Sequence, residues 1–245
     1  MGTSTRKKII TTHQVLEVYM LKSARKIHRF ILALIVILIT FLSYPSLALQ
    51  IEPAIPDSIS QVKSRLLNGE VLVTLFDLQD GVTGVEGHIY IAAPPKKVWD
   101  VITDYDNHKK FIPNIIDSGL LSDNGSEKVM FEKGKSGMLF FQKTVNIKMK
   151  VWGEVSKHLN FQQITGDFKV YHGEWILVEY PQGPGTFLTY KAEVKPDFFA
   201  PRFAVKKVQQ HDCPQMMSAM KKQAESVLLS ELKKNELQSN DLRYR

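Results

Sequence analysis

Between Asp104 and His108 the chain gathers two acids, a phenol and an imidazole: Asp104, Tyr105, Asp106 and His108. At the mouth of an apolar pocket such a group would hold a polar headgroup by hydrogen bonds. The reading that needs no ligand is favoured, with Asp104 capping the second short helix and Tyr105 packed beneath it. The histidines at 88, 158, 172 and 211 are scattered, and no pair stands at a spacing that presents two ligands to one ion. No metal site and no cofactor are therefore expected. Glu132, Glu154, Glu174 and Glu179 fall on predicted strands. A strand glutamate aimed into an apolar cavity would have its pKa raised and would serve as a general acid, whereas alternation places most of these on an outer face. The segment Tyr171 to Trp175 is the place to expect a polar group inside, which makes His172 and Glu174, with Tyr105, the polar cavity candidates. With no serine elbow, phosphate loop or dinucleotide fingerprint, no residue is assigned a catalytic role.

Any such cavity needs apolar walls. Phe131, Phe140, Met149, Phe161, Trp175, Tyr190, Met217 and Met220 are the expected ligand-contacting set, with Met138, Met216, Phe141 and Phe187 as further candidates. Methionine is flexible and polarisable, which suits a pocket that accepts an imperfectly shaped molecule. The same residues would also serve as ordinary core.

The elements that position these side chains follow from periodicity. Ser58 to Leu67 fits a short amphipathic helix stopped at Asn68-Gly69. Glu70 to Leu78 and Gly84 to Ala92 alternate as strands, the second with Val85, Gly87, Ile89 and Ile91 on one side. Pro94-Pro95 opens a two-turn helix through Ile102, and a second piece runs from Asn107 to Phe111. Six strands follow: Ile115 to Ser122, Lys128 to Lys135, Gly137 to Gly153, Asn160 to Gly166, Gly173 to Tyr180 and Thr186 to Val194. Turns are expected between them, one at Lys135-Ser136-Gly137. In the clearest strand Val145, Ile147, Met149 and Val151 face one way and Asn146, Lys148 and Lys150 the other, so the sheet is covered on one side only. The cover is expected from two carboxyl-terminal helices, Pro201 to Gln210 and a longer one capped by Asp212 with Pro214 in its first turn. Ser239 to Arg245 reads as a fraying tail.

The amino-terminal part addresses location. Seven basic residues and Glu17 precede thirteen almost unbroken apolar residues, Phe30 to Leu42, and then Ser43-Tyr44-Pro45-Ser46-Leu47-Ala48. A basic flank, a short apolar run and small residues at 46 and 48 make an export signal with a cut before Leu49. Thirteen residues span about 20 Å as a helix, short of the ~30 Å hydrocarbon layer. An uncleaved anchor, continuing to Leu49, is the alternative, and Met20 offers a second start. Either way the remainder is expected outside the cytoplasm, in a periplasm or extracytoplasmic lumen. Of the net charge of +7, six units belong to the first 29 residues, so the remaining chain is nearly neutral. That removes any global reason to bind nucleic acid.

The words Ile91-Ala92-Ala93-Pro94-Pro95-Lys96-Lys97-Val98-Trp99, Thr103-Asp104-Tyr105 and Phe111-Ile112-Pro113 resemble the opening of START-like (SRPBCC) proteins. The branch they are similar to is that of polyketide cyclases/dehydrases and coenzyme Q-binding proteins. Leu67-Asn68-Gly69-Glu70-Val71 is similar to exported bacterial members, as is an ending in which a proline begins the last helix and Ala224-Glu225 sits within it. The resemblance implies an α+β helix-grip fold: a curved antiparallel sheet wrapped around a long final helix, with an apolar tunnel between them. The expected organisation is a leader over 1–48, a tether and short helix over 49–69, the START-like domain over 70–234 and a tail over 235–245. Binding, sequestration or transfer of a lipid, isoprenoid quinone or polyketide-like aromatic is the function implied. The alternatives are a cyclase or dehydratase using a cavity acid or histidine, and a protein-interaction module with a filled cavity. Phe198-Phe199 beside Arg202 would flank the entrance and touch a membrane surface.

Overall fold

The computed structural model describes residues 59–138 and 141–243. The leader, and the tether up to residue 58, lie outside them. Helix α1 (Ile59–Leu67) precedes strand β1 (Leu72–Asp77), a 3-10 turn at Gln79–Gly81, and β2 (Thr83–Ile91). Then come α2 (Pro95–Ile102), α3 (His108–Phe111), β3 (Ile115–Asp123), β4 (Glu127–Met138), β5 (Phe141–Glu154), β6 (His158–Gly166), β7 (Phe168–Tyr180), β8 (Gly185–Pro196) and α4 (Arg202–Arg243). Pro94 and Pro95 sit at the start of α2, where the missing amide hydrogen costs nothing. No described helix is long and apolar enough to cross a membrane.

All eight strands pair antiparallel in one curved sheet, ordered β1-β2-β8-β7-β6-β5-β4-β3. The register puts one set of side chains on the inner face. Val85 pairs with Ala192, Tyr190 with Trp175, Gly173 with Phe161, Phe161 with Val151, and Met149 with Met130. Against this face lies α4, whose Cys213, Met217, Met220 and Ala224 are all buried. The approach is close. A Cβ on Gly87 would stand 2.5 Å from Met217 Sδ and 3.2 Å from Cys213 Sγ, so a side chain there would displace Met217 or the helix that carries it. Gly173 serves the curvature, because a Cβ there would collide with the Lys191 carbonyl oxygen.

Two expectations are corrected. The turn expected at Lys135-Ser136-Gly137 is strand, paired in register with Thr144, Lys143 and Gln142, and the connection falls at 139–140, outside the described residues. The two carboxyl-terminal helices are one helix with Pro214 inside it. Asp212 does not cap a new helix; its carboxylate is paired with His211. The buried stripe explains the continuity, since Cys213 and Met217 anchor both sides of the proline on the same glycine. Helical geometry also carries through Ser239 to Arg243, beyond where fraying was expected.

The sheet's open flank is closed by side chains from α4. Where β1 stops pairing with β2 at His88, Lys221 Nζ donates to the Tyr90 carbonyl at 2.9 Å. The Ala92 amide donates to Glu225 Oε1 at 2.8 Å. Unpaired strand groups are thereby satisfied.

Candidate functional site

Between the inner sheet face, α2, α3 and α4 lies a cavity of about 70 Å3. Its walls hold Phe161, Trp175, Tyr190, Met149, Met216 and Met220, with Met130 and Tyr171. The rings interlock: Trp175 and Tyr190 have centroids 4.7 Å apart, and Phe161 stacks on Tyr190 at 5.9 Å. This packing corrects the expectation of an open tunnel, because the large rings and methionines occupy most of the space between sheet and helix.

Polar groups converge on the same cavity. Strand β4 pairs Glu132 with Ile147 of β5, an inward residue, so the Glu132 carboxylate points in. Helix α3 delivers His108, 4% exposed, whose Nδ1 lies 2.8 Å from Glu132 Oε1. His108 Nε2 and Tyr105 Oη are buried without a hydrogen-bond partner among the described residues. The Tyr105 ring meets His108 edge to face at 5.6 Å. Tyr171 and Tyr190 place their hydroxyls 3.4 Å apart. Burial pushes the Tyr171 phenol up to about 12, raises Tyr190 well above its ordinary value and raises Tyr105 too; the Glu132 charge adds to all three. All three are neutral donors at any ordinary pH.

The structure brings together most of the expected lining and none of two expected polar groups. Met149, Phe161, Trp175, Tyr190 and Met220 line the cavity, and so does Tyr105. Met217 is buried against Gly87 instead, and Met216 takes the cavity position. Phe131 is corrected: it packs beside Gly119, on the other face from Met130 and Glu132. His172 and Glu174 are corrected as well. His172 is half exposed and 3.5 Å from Glu193, and Glu174 pairs across from Lys191 on the outer face. Tyr171 and Trp175, their neighbours in alternation, are the ones that face in. Phe187 joins Tyr90 and Tyr180 in a separate ring cluster. Phe140 lies outside the described residues, as do the side chains of Met138 and Phe141. Asp104 holds Asn107 Nδ2 at 2.8 Å and so braces the turn before α3. Asp106 accepts from the Leu120 amide at 3.0 Å.

A wider groove of about 700 Å3 runs along α4 beside Lys221, Lys222 and Lys233. It is open to solvent along its length and encloses nothing, so the interior is the candidate site. No group of three or more acids, histidines or cysteines stands ready to hold a metal ion among the described residues.

Residues 91–221 match the family model described as polyketide cyclase / dehydrase and lipid transport. No curated protein sequence matches the chain. Among solved structures, the Zhui aromatase/cyclase from Streptomyces sp. R1128 is similar over 59% of this chain and 94% of its own, at 16% identity and a TM-score of 0.52. A START superfamily protein from Mycobacterium smegmatis covers 59% of this chain and 98% of its own, at 15% identity and 0.51. The protein TTHA0849 from Thermus thermophilus does likewise with 59% and 98%, at 18% identity and 0.51. At these identities the likeness is one of fold.

Proposed function

Since this chain belongs to the polyketide cyclase / dehydrase and lipid transport family, we propose that its interior takes up a hydrophobic small molecule and holds it out of water. The classes that fit are a lipid, an isoprenoid quinone or a polyketide-like aromatic. One observation carries the reading: an aromatic- and methionine-lined cavity under α4 with a few convergent polar groups. Burying ~400 Å2 of apolar surface at ~25 cal/mol per Å2 gives about 10 kcal/mol, which offsets much of the association cost.

The present cavity holds roughly two waters at ~30 Å3 each, well below the ~300 Å3 of a drug-sized site. Uptake therefore requires α4 to part from the sheet. Met216 and Met220 are the compliant side chains at that seam. The segment at 107–114, which carries α3, and the loop at 196–201 form the entrance. Phe199 is 95% exposed and Phe203 73%, beside Arg202, which suits loading from a membrane surface. Reading the basic and apolar run of residues 1–48 as an export signal supports a protein that works outside the cytoplasm.

Mass spectrometry of an organic extract of protein purified from its native host tests the reading. A hydrophobic molecule at near-stoichiometric amount is expected. An empty extract would favour a protein-interaction module, with Phe199 and Phe203 as its exposed surface.

A second reading has one observation behind it. His108 and Glu132 form a buried imidazole–carboxylate pair on the cavity wall, the arrangement a general base uses. A cyclase or dehydratase would use it on an enolisable substrate. Loss of turnover with retained binding in His108→Asn would support this reading, and unchanged turnover would remove it.

A further inference from the structure

The hydrogen-bonding pattern at the α3 end of the cavity constrains the chemical group that the ligand buries there. A carboxylate has only lone pairs to offer, so in the contact at 2.8 Å the proton belongs to His108 Nδ1, which donates to Glu132 Oε1. In the neutral imidazole the other nitrogen, Nε2, then carries a lone pair and no hydrogen. That atom is buried and unpartnered among the described residues. Tyr105 Oη is also buried and unpartnered, on a ring whose centroid lies 5.6 Å from that of the imidazole. The phenol keeps its proton, because burial raises its pKa. The wall thus presents one acceptor and one donor on adjoining rings, in a cavity whose other polar groups are the Glu132 carboxylate and the Tyr171 and Tyr190 hydroxyls.

Resting on the reading of the interior as a binding cavity, we infer that this end selects a hydroxyl group carried on an apolar body. A single hydroxyl oxygen accepts from Tyr105 Oη and donates its own proton to His108 Nε2, satisfying both orphans at once. An ether or ketone oxygen only accepts, and leaves His108 Nε2 without a partner. A hydrocarbon leaves both. A site built to hydrogen-bond a hydroxyl rejects analogues that lack it, since its buried polar groups are then stranded. Glu132 is a positioning residue here, because it sets which imidazole nitrogen faces the ligand.

Three small aromatic probes of similar shape separate the outcomes: phenol, anisole and toluene, titrated into the full chain by isothermal calorimetry. Phenol is expected to bind at least tenfold more tightly than either of the others. In Tyr105→Phe, which removes only an oxygen that bonds to nothing, that advantage is expected to shrink to within threefold. Nitrogen-15 spectra of the imidazole are expected to show His108 protonated at Nδ1 in the free protein, with the Nε2 resonance shifting on addition of phenol and not of toluene. Toluene binding as tightly as phenol, or a phenol preference that survives Tyr105→Phe, would overturn the inference and leave the cavity reading intact. Binding of none of the three would overturn both.

Discussion

Met217 Sδ lies 2.5 Å from the point where a Cβ on Gly87 would stand, and Met217 has no exposed surface at all. The long helix is thus seated on the one residue of β2 that has no side chain at this contact. Gly87→Ala pushes α4 outward along its most buried stretch. Overpacking of this kind costs about 1–3 kcal/mol. Urea denaturation of the variant is expected to show that loss, with the slope unchanged.

Pro214 brings no amide hydrogen, so the Gln210 carbonyl has no helical partner four residues on. Pro214→Ala supplies the donor and removes the ring. A stabilisation of up to about 3 kcal/mol is expected, read as a higher melting temperature. If the proline makes α4 compliant for uptake, the same variant takes up toluene or phenol more slowly in stopped-flow mixing. An unaltered uptake rate would place the opening elsewhere.

Cys213 is buried against the sheet, and burial pushes its thiol up from an ordinary 9.0 to about 12. The thiolate is the reactive form, so the native protein is expected to resist a disulfide reagent at pH 8 and to react fully in denaturant. Below about pH 9 the thiol is protonated both folded and unfolded and its contribution is intact. Between pH 9 and 12 only the unfolded chain releases the proton, so stability falls as pH rises. Cys213→Ala is expected to flatten that part of the alkaline profile.

Phe199 and Phe203 stand out from a region that also carries Arg202, Lys206 and Lys207. Phe199→Ser with Phe203→Ser is expected to reduce co-sedimentation with vesicles of anionic phospholipid at least tenfold, because each buried phenyl contributes about 1.5–3 kcal/mol. The melting temperature should stay within a degree or two. Equal sedimentation of variant and parent would exclude these side chains as the contact.

The sheet was legible where alternation was unambiguous. Val145 to Val151 reads one face apolar and the other charged, and the structure keeps that division. The site was less so, because facing depends on partners. Around residue 131 the pair Val129 with Phe131 is wholly apolar and the pair Met130 with Glu132 only half so, so alternation points to the wrong face. Pairing of Glu132 with Ile147 decides the matter, and sequence alone holds no record of that register. At Tyr171 to Trp175 the signal was present: polar His172 and Glu174 alternate with larger rings, and burial takes the rings. His108 belonged to a visible cluster, yet its partner lies 24 residues away on another element. Pro214 read as a helix start because the local rule is strong, whereas packing of Cys213 and Met217 on one glycine overrides it.

Strand β2 pairs with β8, so that His88 faces Thr189 about a hundred residues later in the chain. Closing so large a loop costs entropy before any hydrogen bond repays it, which slows the search for the native arrangement. A nascent chain emerging from the ribosome has β1 and β2 long before the strand that must lie beside them. The domain therefore completes itself only after almost all of it has been made.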